Sequence, residues 1–106
     1  MAATPERVAR SMADFAAFHT YASRCLGSSK QRQIAEVLGV PESVYSNIKH
    51  GRLILGTVRL MRWCQAIADH VGHYSYQITF EAPVRISPVR TKEALPFDDH
   101  RPTIQR

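Results

Sequence analysis

The sequence predicts a mainly α-helical fold. About four helices, two of them short and joined by a tight turn, are followed by a C-terminal β-strand or short hairpin and a flexible tail. Three observations predict it. Apolar residues recur at three- and four-residue steps up to about Val71. Gly27, Gly39 and Gly51 each fall where a helical pattern stops. From Tyr74 the period changes to two, the mark of a half-buried strand.

The first helix starts at Thr4-Pro5-Glu6. The hydroxyl can accept an orphan N–H, the proline has its φ preset for the first turn, and the acid complements the helix dipole. Val8, Met12, Phe15, His19, Ala22 and Leu26 make its predicted apolar stripe, and Gly27 ends it. Ser28-Ser29 offers a cap for a second helix, Lys30 to Leu38, with Ile34, Ala35 and Leu38 inward. After Gly39, a third helix from Pro41 or Glu42 to His50 turns Val40, Tyr45 and Ile48 inward, and Gly51 terminates it. Two short helices joined by a glycine turn form a helix-turn-helix, the unit that can lay a helix in a groove of DNA.

Arg52 to Gly56 is a predicted loop, and Thr57 is placed to cap a fourth helix reaching about Val71. Leu60, Met61, Cys64, Ile67 and Ala68 form its apolar face, leaving Arg59, Arg62 and Asp69 outside. Tyr74, Tyr76, Ile78 and Phe80 then alternate with Ser75, Gln77 and Thr79. Ala82-Pro83 interrupts that strand, and 84–89 can form a second short extended piece before Pro88 limits it. The expected organisation is a DNA-binding domain over 1–73, a β dimerisation segment over 74–90 and a tail over 91–106.

Composition narrows the function classes. The chain has 106 residues, 44% hydrophobic and 22% charged, which suits one soluble globular domain. No apolar run reaches the ~20 residues needed to span a bilayer, and the N-terminus lacks the basic-then-apolar pattern of a secretory signal. No membrane partner and a cytoplasmic location are therefore expected. The net charge is +5, and it is concentrated. Lys30, Arg32, Lys49, Arg52, Arg59 and Arg62 face only Glu36 and Glu42 between positions 30 and 62, a polyanion-seeking excess.

Cys25 and Cys64 fall on apolar helix faces and are expected to be buried free thiols. A metal site would have to recruit Cys64, His70 and His73, without the ligand pairs usual for zinc. No metal and no cofactor are expected. An enzyme is not expected either: there is no glycine-rich phosphate loop and no paired carboxylates at a useful spacing, and His50, Asp69, His70 and His73 are scattered.

The stretch from Gln31 to Gly51, QRQIAEVLGVPESVYSNIKHG, combines several spacings. Gln31 lies four before Ala35, Ala35 four before Gly39, an apolar residue six beyond that glycine, and Gly51 twelve beyond it. In this register the chain resembles the Cro and repressor family of phage-type regulators, with a weaker likeness over Phe15 to Val71. Ala35 is small where two steeply crossing helices approach closely, and Gly39 allows the positive φ of a tight turn.

The resemblance implies a sequence-specific regulator of double-stranded DNA, encoded by a phage or other mobile element and acting as a dimeric repressor. It implies that Gln31 holds a phosphate and that Glu42, Ser43, Ser46 and Asn47 read base edges in the major groove. Val44 could meet a thymine methyl. Each has a plainer alternative: Glu42 can simply complement a helix N-terminus, and the serines can simply face solvent. Asparagine is a poor helix former, which favours a role for Asn47. The chain departs from the family at Pro41, where a serine or threonine is common, and at Lys49-His50.

Lys49, Arg52, Arg59 and Arg62 flank that helix and can grip phosphates, adding affinity without sequence information. A lone strand needs a partner. Pairing of Tyr74, Tyr76, Ile78 and Phe80 with the same strand of a second copy would give a homodimer on an inverted-repeat operator, and a hairpin with 84–89 is the alternative. A second functional reading is an antitoxin-type regulator whose tail, Arg90 to Arg106, binds a protein partner.

Overall fold

A computed structural model describes residues 3–94. It contains α1 (Pro5–Leu26), α2 (Gln31–Leu38), α3 (Glu42–Lys49), α4 (Thr57–Val71), β1 (Ser75–Thr79), β2 (Arg85–Val89) and a 3-10 turn at Lys92–Ala94. The predicted class, about four helices followed by a β-strand or short hairpin, is the one observed, and of the two endings it is the hairpin that forms. Most of the expected tail lies outside the described residues.

Thr4 caps α1 as its chemistry suggests, its hydroxyl accepting the Arg7 N–H at 3.2 Å, and Gly27 closes the helix at φ 71°. The buried stripe of α1 is rotated from the predicted one. Ser11, Phe15, Phe18, Tyr21 and Ala22 are buried, whereas Met12 is exposed. Ser11 is inside because its hydroxyl accepts the buried Leu55 N–H at 2.8 Å, so a polar residue serves a backbone group that would otherwise lack a partner. Val8 and Met12 lie over Gly51, close enough that a Cβ there would meet both at 2.9 Å.

Two predicted caps are corrected. The N-cap of α2 is Lys30, with Ser28 accepting the Lys30 N–H instead of capping the helix. The N-cap of α4 is Gly56, and Thr57 is the first helical residue. On α4 the buried face includes Trp63, which replaces the expected Met61. An indole at that place closes an aromatic centre. Tyr45 of α3 packs against Phe15 at 4.7 Å and against Trp63 at 5.5 Å between ring centroids, and Phe18 lies 5.4 Å from Trp63. All four rings are buried, each taking roughly 150–250 Å² out of water.

The strand at 75–79 finds its partner within the chain. β1 and β2 pair antiparallel, with Ile78 opposite Ile86 and Tyr76 opposite Pro88. Tyr76, Ile78, Val84 and Ile86 pack on the helical core, while Gln77, Thr79, Arg85 and Ser87 are exposed on the other face. The hairpin rests on α1 and α4. Pro88 sits within β2 rather than ending it, a position available because a two-stranded sheet has only edge strands.

Candidate nucleic-acid interface

The turn between α2 and α3 is built as the sequence requires. Gly39 adopts φ 73° and its N–H returns to Ala35 and Glu36, while the buried Ala35 permits close packing. Pro41, at φ −61°, is the N-cap of α3, so Glu42 is its first residue and the register of the following positions is fixed. Tyr45 and Ile48 are wholly buried and hold α3 down. The Tyr45 hydroxyl also meets His19 Nδ1 at 2.9 Å, tying α3 to α1. Burial pushes the Tyr45 hydroxyl up from its ordinary pKa and, with the positive charge of Lys49 adding, pushes His19 below 6.5. The bond therefore joins a neutral phenol to an imidazole that favours its neutral form.

With that face anchored, the opposite face of α3 carries the expected readers. Glu42 and Ser43 are exposed, and Ser46 and Asn47 are partly exposed. Val44 is half-buried against the core, which limits its reach toward a base. His50, seven residues after Ser43, shares the outer face with Ser43 and Ser46 and is exposed. Its Nδ1 lies 2.9 Å from the Ser46 carbonyl oxygen and 3.4 Å from the Ser46 hydroxyl. His50 is the C-cap of α3, where the sequence reads a helix end and no candidate reader. The i, i+3, i+7 spacing was the available signal.

The predicted residues are joined in pairs. Gln31 Nε2, from the first residue of α2, donates to Glu42 Oε2, from the first residue of α3, at 3.3 Å. The two helix starts thus lie side by side, and among the described residues neither N-cap makes a side-chain bond to its helix. Apart from the Val44 N–H, which donates to the Pro41 carbonyl at 3.0 Å, their first-turn N–H groups remain as donors with partial positive charge. At the other end of α3, Arg52 Nη1 donates to Asn47 Oδ1 at 3.2 Å, while the Asn47 carbonyl accepts the Arg52 and Leu53 N–H groups at 2.8 and 3.2 Å.

The remaining basic residues are not gathered at one point. Lys49 lines a cavity of about 330 Å³ beside Met12, Phe15 and His19, on the α1 side of α3. Arg59 and Arg62 border a groove of about 570 Å³ floored by Leu38, Val40, Ile54 and Trp63. Arg59 Nη1 there donates to the Ile54 carbonyl at 3.2 Å. Lys49, Arg52, Arg59 and Arg62 are all exposed. Of the expected dimer contacts, Tyr76 and Ile78 are committed to the protein's own core, whereas Tyr74 and Phe80 are exposed at either end of β1.

Cys64 is buried and its thiol is pushed up to about 12, whereas Cys25 is only half-buried. No group of three His, Cys, Asp or Glu side chains among the described residues is placed to hold a metal ion. No described helix is long and apolar enough to cross a membrane. No protein-family model matches the chain, and no curated protein or solved structure matches it significantly.

Proposed function

We propose that this protein is a transcriptional regulator that binds double-stranded DNA sequence-specifically, with α3 laid in the major groove. The carrying observation is that α3 is pinned by Tyr45 and Ile48 while its opposite face, Ser43, Ser46 and His50, is polar and open. Asn47 flanks that face and is the other candidate reader. The two helix starts joined by Gln31 and Glu42, together with Arg52, supply donors and charge for the backbone on either side.

The protein acts as a homodimer repressing from an inverted repeat. One reading helix of eight residues covers few base pairs, and a twofold pair reaches two half-sites about 34–36 Å apart. With β1 and β2 paired to each other, the second copy joins along a free strand edge, where the exposed Tyr74 and Phe80 lie.

Titrating a labelled random duplex at several salt concentrations tests the polyanion part of this reading. Binding that weakens linearly in log–log form with salt supports it; absence of binding at low salt contradicts it.

A further inference from the structure

Arg24 and Cys25 in the last turn of α1, His73 just after α4, Ser87 of β2 and Arg90 just after β2 line an open cavity of about 290 Å³, with Arg24, Ser87 and Arg90 exposed. We propose that it is a binding site for a small oxyanion, a free phosphate or carboxylate group, held between the guanidiniums of Arg24 and Arg90. This inference is independent of the DNA-reading proposal.

Charge is the first support. Two arginines and a histidine line the cavity and no carboxylate does so among the described residues. Neither arginine has a salt-bridge partner among the described residues. The C-terminal ends of α1 and α4 contribute partial negative charges of roughly half a unit each, less than two guanidiniums supply. The field of Arg90 reaches the cavity wall, where it opposes the upward push that burial gives the Cys25 thiol.

The donors are the second support. His73 lines the cavity, and its Nδ1, sealed from solvent, has no hydrogen-bond partner among the described residues. The Ser87 hydroxyl adds a donor, and both guanidiniums can make forked contacts to an oxyanion. Size is the third. At about 290 Å³ the space lies at the small end of ligand pockets, roughly 300–1,000 Å³, which suits a phosphate or short carboxylic acid rather than a nucleotide. A bound anion would clamp the hairpin to α1, joining the helical unit to the segment that carries Tyr74 and Phe80.

The test is an amide and histidine-ring NMR titration of the full chain with inorganic phosphate, without DNA, repeated with malonate and with chloride at matched ionic strength. Saturable shifts at Arg24, His73, Ser87 and Arg90 with phosphate or malonate, and not with chloride, are expected. They should disappear in an Arg24→Gln/Arg90→Gln variant with an unchanged circular dichroism spectrum and persist in Arg52→Ala. Phosphate should also slow alkylation of Cys25 by iodoacetamide. Shifts confined to Gln31 and Glu42, shifts that never saturate, shifts retained in the double variant, or shifts produced only by a duplex would each overturn the proposal.

Discussion

Arg52 Nη1 donates to Asn47 Oδ1 at 3.2 Å, so a residue suited to gripping a phosphate holds one suited to reading a base. The side-chain amide of Asn47 is oriented by that bond, with its NH₂ group left to donate elsewhere. Asn47→Ala should cost roughly 1–3 kcal/mol on the cognate duplex and relax its preference, whereas Arg52→Ala should weaken all duplexes and lower the salt slope by about one. Because the two touch, the double variant should lose less than the sum on the cognate site. Anisotropy titrations on cognate and random duplexes measure all of these terms. Equal losses on both duplexes would remove Asn47 from the readers.

Glu42 is exposed and already accepts from Gln31. A carboxylate near phosphates repels them by about 1 kcal/mol at 4 Å in water. Glu42→Gln should therefore tighten binding to cognate and random duplexes alike. A loss confined to the cognate duplex would instead mark Glu42 as a base reader.

Helix existence was legible because Pro5, Gly27 and Gly39 act locally, through fixed φ or tolerance of positive φ. Which face of a helix is buried depends on neighbours distant in sequence, and there hydrophobicity misled. Ser11 is buried for the Leu55 N–H and Trp63 for the aromatic centre, while Met12 and Met61 are exposed. Tyr45 and Ile48 were legible as anchors, which fixed the outer face of α3. The link from Gln31 to Glu42 and the link from Arg52 to Asn47 cross turns, and spacing along one helix does not reveal them.

His19 provides a pH signature. Its folded pKa lies below the ordinary value of 6.5, so the unfolded chain takes up the proton first. The stabilisation is complete above that value and is lost as pH falls through the folded pKa. Asp14 is shifted upward by burial, so its contribution is lost as pH rises from the lower carboxylate range, a separate window. The urea midpoint should fall between about pH 7.5 and 5.5, and His19→Gln should flatten that slope. An unchanged slope in the variant would assign the effect to other histidines.

Two substitutions test the packing beneath α3. Gly51→Ala places a Cβ at φ 78°, 2.9 Å from Val8 and Met12 side-chain atoms. The backbone penalty alone is about 1–2 kcal/mol, so the denaturant midpoint should drop by at least that equivalent. Ser11→Ala leaves the buried Leu55 N–H without its acceptor and should cost about 1–3 kcal/mol. Wild-type midpoints in both variants would contradict this account of how the loop after α3 is fixed.

Selection of bound sites from a random duplex library measures the central claim most directly. Enrichment of an inverted repeat with half-sites about one helical turn apart, lost when Asn47→Ala protein is used, is the predicted result. Strong binding with no enriched motif, or enrichment unaffected by changes at Ser43, Ser46, Asn47 and His50, would contradict a reading role for the helix from Glu42 to Lys49.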